Sequence, residues 1–248
     1  MTSKWNHEDI KLHLEEFYNV YNNRPIKDNS GGMKSPHMFP AWYVLKKIQP
    51  KCIIESGVWK GLGTWLFEQA CPNLEKIYSI DPSPHFRNYT SSKAEYQKND
   101  FLDTDWSSLN KNETLVFFDD HQDCLPRIKK CLELGFKNII VEDNYPYQQG
   151  DCYTPKKILS KRNYCIDKDG YKETHSHKEE DYNFLEKNIE NYQELPPIFK
   201  PDLTRWGDSW DENYPTPDAL LKETSKHEYS VFWEEKFDYT WICYIKLK

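Results

Sequence analysis

The chain lacks most of the features that sort a sequence quickly. No run of uncharged apolar residues is long enough to span a bilayer, and the opening "MTSKWNHEDIKLHLEEF" is charged throughout. Neither a membrane span nor a secretory leader is therefore expected. Basic charge is in short supply: 33 Lys and Arg stand against 40 Asp and Glu, for a net charge of −7. Nucleic-acid binding needs a clustered basic surface to neutralise phosphates, so that class is excluded. The one basic run, "PKKILSKR" at 155–162, is expected as a solvated helix face. The 7 cysteines form no C-x-x-C pair and no regular framework. That argues against zinc spacings and disulfide scaffolds, and for reduced thiols in a cytoplasmic protein. Neither G-x-G-x-x-G nor G-K-[ST] occurs, which makes phosphate-loop readings poor.

Aromatic residues, in contrast, are plentiful at 15%, with 9 Trp and 17 Tyr in 248 residues. Such flat, amphipathic side chains often line pockets. The length suits one large domain or a domain with an elaborate insertion. Residues 7–22 carry Ile10, Leu12, Leu14, Phe17, Tyr18 and Tyr21 at helical spacing, predicting one amphipathic helix. The Pro-, Gly- and Asn-rich stretch 22–40 is expected as a loop, with a short helix in "AWYVLKKIQ" after it. "KCIIES", "KIYSID", "TLVFFDD" and "KNIIVEDN" then read as short, fully apolar strands alternating with helices. That is the pattern of a parallel sheet covered on both faces, an α/β fold. From 161 to 227 the pattern dissolves, and we expect an irregular insertion with one helix near 180–192. "EYSVFWEEKFDYTWICYIKLK" reads as a terminal hairpin whose last strand, wholly apolar at "WICYI", is interior to the sheet.

Acidic clusters sit at the ends of these strands, and ligands of open parallel sheets bind beyond the carboxyl ends. In "IIESGVWKGLGTW", Gly57, Gly61 and Gly63 follow a strand and open a helix, letting the backbone approach a ligand closely. Glu55, just inside the turn, favours a cationic ligand over a pyrophosphate. Asp81, at the next strand end, occupies the usual place of an acid that grips ribose hydroxyls. A glycine turn with an acid, then a ribose acid, suits S-adenosylmethionine better than NAD. The same glycines also serve a plain strand-to-helix turn, and the same topology hosts NAD-dependent oxidoreductases. Spectral titration with each cofactor separates the two.

The stretch "IESGVWKGLGTWLFEQA…YSIDPSP" resembles motif I and its sequel in class I S-adenosylmethionine-dependent methyltransferases. It looks closest to the branch of sugar O-methyltransferases and cephalosporin-hydroxylase-like proteins. The similarity covers roughly 30–160 and 228–248. It implies a Rossmann-like, seven-stranded, mostly parallel sheet with helices on both faces and a C-terminal antiparallel hairpin. The whole chain is then a single domain: a helical and loop segment at 1–44, a core at 45–160 and 228–248, and an insertion at 161–227 acting as a lid. The resemblance places Glu55 near the methionine end of the cofactor, Asp81 on the ribose, and Asp100 (or Asp103) by the adenine edge. "GGM" at 31–33 is a candidate for closing the site.

"FFDDH" and "VEDN" are similar to the metal site of catechol-type O-methyltransferases, which implies Asp119 or Asp120 with Asp143 and Asn144. Hard oxygen ligands converging from adjacent strand ends suit Mg²⁺. A metal there acidifies and orients a substrate hydroxyl. The catechol-type lysine base is absent, its place falling on Gln122 or Asp123. His121 matches sugar-directed relatives as a base, with Asp119 beside it, and a histidine titrates in the range that role needs. His175 and His177 in "HSH" have no third ligand at matching spacing and are expected on the surface. The expected activity is metal-assisted O-methylation of a sugar or glycan hydroxyl. The acceptor would be a small molecule or glycan, with Trp206, Asp208 and Trp210 of "RWGDSW" in the lid contacting it. A catalytically silent methyltransferase-like binding module is the non-enzyme alternative. The joint presence of Glu55, Asp81, Asp143 and Asn144 argues against it.

Overall fold

The structure is a computed structural model describing residues 4–168 and 170–248. The apolar runs form strands as expected: β1 (Cys52–Ser56), β2 (Lys76–Ile80), β4 (Thr114–Phe118) and β5 (Asn138–Val141), all parallel. A short polar strand, β3 (Ala94–Gln97), joins β2 at one edge. Its "AEYQ" carries no apolar signal because it is an edge strand. Two further strands, β8 (Ile189–Glu194) and β9 (Cys243–Leu247), complete a seven-stranded sheet in the order β3-β2-β1-β4-β5-β9-β8. Strand β9 runs antiparallel to both β5 and β8. This is the Rossmann-like, mostly parallel sheet with an antiparallel C-terminal pair that the resemblance implies.

Both faces of the sheet are buried, which explains why the strands are apolar without alternation. On β4, Leu115 and Phe117 belong to one core cluster while Val116 and Phe118 belong to the other. The first face is covered by α2 (Leu14–Asn22), α3 (Ser35–Ile48) and α4 (Leu62–Ala70), which follow α1 (His7–Lys11). The second is covered by α5 (Cys124–Leu134), α6 (Pro155–Leu159) and α7 (Glu179–Asn188).

Several expectations shift in detail. The amphipathic segment 7–22 is two helices broken at Leu12 and His13, and Leu12 points out at 80% exposure while Ile10, Leu14, Phe17 and Tyr21 are buried. Helix α3 starts at Ser35 rather than within "AWYVLKKIQ". Its Pro36 lies in the first turn, where no intrahelical donor is needed, and the interior Pro40 leaves only one early carbonyl unpaired. The outer strand of the C-terminal pair is not the run at 228–233, much of which is helix α8 (Ser230–Glu234). It is β8, from inside the segment read as an insertion, so that insertion contributes to the main sheet. What lies outside the sheet is a two-stranded unit of β6 (Tyr164–Lys168) and β7 (Tyr171–His175), helix α7, and the irregular stretch 195–229. The C-terminal strand is interior, as its composition demands. Among the described residues no helix is long and apolar enough to cross a membrane.

Candidate active site

Strand order reverses between β1 and β4, so a crevice opens beyond their carboxyl ends. Gly57 makes that edge possible. Its φ is +95°, and a Cβ there would overlap the backbone carbonyl of Asp119. With no Cβ, the end of β1 lies against the end of β4, joined by Asp119 N–H donating to Ser56 O at 2.8 Å. A cavity of about 310 Å³ lies over this edge, and its wall includes Gly31, Gly32, Gly57, Asp81 and Asp119. Asp81 is anchored there: its Oδ2 accepts from the Trp59 amide at 2.9 Å and its Oδ1 from the Ser83 amide at 2.6 Å. Gly61 and Gly63 do not reach the cavity wall. Gly61 is needed where the chain passes the Tyr89 carbonyl, and Gly63 where α4 lies against the Glu55 carboxylate.

Glu55 departs from its expected place. It is 1% exposed, off the cavity wall, and accepts from Thr64 Oγ1 at 2.6 Å and Ser79 Oγ at 2.7 Å. Burial pushes its carboxyl up to about 7, against the pull of those two hydroxyls. Its side chain projects under α4, on the face of β1 opposite its neighbours Ile54 and Ser56, because strand side chains alternate. It braces the turn from below.

Asp100 and Asp120 meet at Arg127, a buried side chain of α5. Arg127 donates from Nη2 to Asp100 Oδ2 at 2.7 Å and from Nε to Asp120 Oδ2 at 2.8 Å. Ser56 Oγ donates to the same Asp120 oxygen at 2.5 Å. Asp120 is thus turned away from the end of β5, and Asp119 is the one of the pair brought towards it. Asp100 does line the cavity, whereas Asp103 does not.

The carboxyl groups of Asp119, Glu142 and Asp143 gather where β4 and β5 end. His121 lies among them with Nδ1 at 3.2 Å from both Asp143 Oδ2 and Asp151 Oδ2. Ligand atoms of Asp119, His121 and Asp143 lie within 4.8 Å of one another. Asn144 faces the other way: it is fully buried, its Nδ2 donates to Tyr192 Oη at 2.8 Å, and its Oδ1 accepts from the Lys156 amide at 3.0 Å. Glu142, its neighbour but one in "VEDN", instead has its carboxyl beside Asp143, and the two group with His37 within 4.8 Å. Burial, then the neighbouring carboxylates, push Asp119 and Glu142 above the ordinary carboxyl range. Asp143 is held low, against its burial, by His121, Glu142 and Arg205. The hydrogen bond to Asp151 raises His121 to about 10, outweighing burial. In this arrangement the ring therefore carries its proton. His121 also has φ +53°, a left-handed conformation that a non-glycine residue adopts only when its surroundings hold it there.

Two cations that the sequence reading passed over complete the site. Arg205 reaches in from the irregular stretch, with Nη1 at 3.8 Å from Asp143 Oδ1. It rides on a tight turn closed by Thr204 N–H to Asp208 O at 2.8 Å and Gly207 N–H to Thr204 O at 2.9 Å. The other is Arg127. Neither has a sequence signal beyond being a basic residue near an acidic motif. Trp206 and Asp208 line a second cavity, of about 410 Å³, with Asp151, Asp167 and Gln149. Trp210 is not on that wall. It stacks on Trp241 at 5.0 Å between ring centres and belongs to an aromatic core under the loop. His175 stacks on Tyr164 and His177 pairs with Glu179.

No protein-family model matches this chain, and no curated protein matches it. Solved structures similar to it include methyltransferases. An SAH-bound methyltransferase of Podospora anserina aligns at 15% identity over 54% of this chain and 62% of that one, with a TM-score of 0.39. The match thus spans less than two thirds of the Podospora protein. The tRNA (m1A58) methyltransferase of Aquifex aeolicus aligns over 98% of this chain and 76% of that one, at 9% identity and a TM-score of 0.48. A SAM-dependent O-methyltransferase of Thermotoga maritima aligns over 92% and 69%, at 8% identity and a TM-score of 0.44. The fold itself is defined by the strand order and register given above.

Proposed function

We propose that the protein is an S-adenosylmethionine-dependent O-methyltransferase, assisted by a divalent cation, acting on a hydroxyl of a sugar or glycan. The observation that carries this reading is the pairing of two features at one sheet edge. One is a cavity walled by Gly57 and the anchored Asp81. The other, beside it, is a set of converging carboxyl groups in which Glu142 Oε2 is buried and accepts no hydrogen bond, while Asp143 Oδ2 meets only the His121 ring at 3.2 Å. Unpartnered buried carboxylate oxygens are costly unless something positive meets them.

The cavity wall carries Asp81, Asp100, Asp119 and Asp120 against Lys98, Arg127 and His121. Ligand atoms converge in two groups that share Asp143, one with Asp119 and His121 and one with His37 and Glu142. The carboxylates among them suit a hard divalent ion such as Mg²⁺ by their chemistry. When bound, that ion would lower the pKa of a substrate hydroxyl. The chain's own residues do the rest. Gly57 and Asp81 align the cofactor, Arg205 and Trp206 cover the acceptor from the loop, and His121 is the candidate to take the hydroxyl proton. His121 can do so only once the carboxylates holding its proton are offset. Support for a sugar comes from the exposed Trp206 ring beside Asp208 and Asp151, an apolar face flanked by hydrogen-bond acceptors.

Calorimetry with S-adenosylhomocysteine, NADH and MgCl₂ on the purified chain tests the reading. Binding of S-adenosylhomocysteine and of Mg²⁺ is expected, with none of NADH. Tight NADH binding without S-adenosylhomocysteine binding would overturn it.

A further inference from the structure

Behind the carboxylate cluster lies a buried group that the proposed chemistry does not use. His37, in the first turn of α3, is 1% exposed, lies off the cavity wall and meets Glu142 just past the end of β5. Its Nε2 accepts the backbone N–H of Thr240 at 2.6 Å. An acceptor nitrogen carries no proton, so the ring proton is on Nδ1, and Nδ1 donates it to Glu142 Oε1. The Thr240 hydroxyl, also within 3.0 Å of Nε2, has one proton to give, and Asp143 Oδ1 receives it at 2.7 Å.

Each of two adjacent carboxylates is thus held by one oxygen from behind. Glu142 Oε2 is buried and accepts no hydrogen bond, while Asp143 Oδ2 meets only the His121 ring at 3.2 Å. Burial and the Asp143 charge push the Glu142 carboxyl up, and a hydrogen bond between the two helps hold Asp143 low. Here neither has a rotation left that keeps its donor. The His37 ring is itself held between the Thr240 backbone N–H at Nε2 and Glu142 Oε1 at Nδ1.

We infer that His37 and Thr240 are positioning residues for the cation site, each clamping one oxygen of Glu142 or Asp143 so that the other faces the ion. The inference rests on the cation-assisted reading above. His37 offers a ring nitrogen within 4.8 Å of Glu142 and Asp143 oxygens. With Nε2 on the Thr240 N–H and Nδ1 on Glu142, however, both nitrogens are engaged, which favours a positioning role over ligation. Donors behind a metal's carboxylate and imidazole ligands tune affinity strongly, typically by about 10–100-fold.

The test is calorimetric titration of the full chain with MgCl₂ and, separately, CaCl₂ and S-adenosylhomocysteine. His37→Ala is expected to weaken Mg²⁺ binding by about 10–100-fold. The preference for Mg²⁺ over the larger, less demanding Ca²⁺ should narrow, and S-adenosylhomocysteine affinity should stay at the parent value. His37→Asn, which keeps an N–H near the Nδ1 position, should recover part of the loss. A residue that only supports the fold would lower the melting temperature and leave the ion preference alone. Thr240→Val keeps the shape and the backbone N–H, removes only the hydroxyl, and reads the Asp143 half of the clamp should His37→Ala fail to fold. Parent-like Mg²⁺ affinity and preference in the folded variants overturn the positioning role. A parent that binds S-adenosylhomocysteine but no divalent ion overturns the cation site itself.

Discussion

Replacing Gly57 with alanine should damage stability and site together, and a second glycine supplies the control. Gly57 and Gly207 both have positive φ, +95° and +89°. A Cβ at Gly207 meets nothing within 4 Å, whereas one at Gly57 overlaps the Asp119 carbonyl. An L-residue in the left-handed region costs roughly 1–2 kcal/mol, and Gly207→Ala should show that term alone. Gly57→Ala must also move β1 and β4 apart at their ends. That strains the Asp119 N–H to Ser56 O bond of 2.8 Å and the Gly57 N–H to Ile80 O bond of 3.0 Å. Each such bond is worth about 0.5–1.5 kcal/mol net, so the total for Gly57→Ala is roughly 2–5 kcal/mol. Urea unfolding followed by tryptophan fluorescence gives both numbers from midpoints at constant slope. Equal destabilisation by the two substitutions would refute the close approach of β1 to Asp119. Because Asp119 moves with that contact, Gly57→Ala should also lose Mg²⁺ binding, and Gly207→Ala should keep it.

Glu55→Gln should change the pH dependence of stability. The folded carboxyl titrates at about 7 against an ordinary 4.5, so the native state holds more protons between those values. Stability from Glu55 is therefore full below about 4.5 and lost as pH rises through about 7, a change on the order of 3 kcal/mol. The glutamine variant should lack this slope and equal or exceed the parent at pH 8 in urea melts, and a parent-like slope would count against the burial argument. Asp81→Ala should weaken S-adenosylhomocysteine binding by about 1–3 kcal/mol in calorimetry, the scale of a lost hydrogen-bonded charge contact. Unchanged affinity would remove Asp81 from the site. His121→Ala should lower kcat by about 10²–10⁴-fold at constant cofactor affinity, the usual worth of a positioned base. A parent-like rate would place the base elsewhere.

The parallel core could be read directly from the chain. "CIIES", "TLVFF" and "NIIV" have side chains buried on both faces, so their composition alone declares interior strands. Gly57 and Asp81 were equally visible, since a turn that needs positive φ and an acid at a strand end are local facts. The local pattern failed wherever a partner distant in sequence decided the outcome. The polar β8, "IENYQE", is a strand because β9 offers it an edge, and nothing within those six residues says so. The aromatic run at 228–233 has strand-like composition yet largely coils into α8, because Phe232 packs on Phe17 and Tyr18 of α2. The acidic motifs announced a site without saying which oxygens face it. Asp120 is drawn off by Arg127 and Ser56, Asn144 by Tyr192 and Lys156, and Glu142 Oε1 is met by His37 from a helix in a stretch expected to be loop. Periodicity and turn chemistry are properties of neighbours along the chain and can be read there. The aim of a carboxylate is set by whichever donor the folded chain brings to its back, and only the tertiary structure supplies that donor.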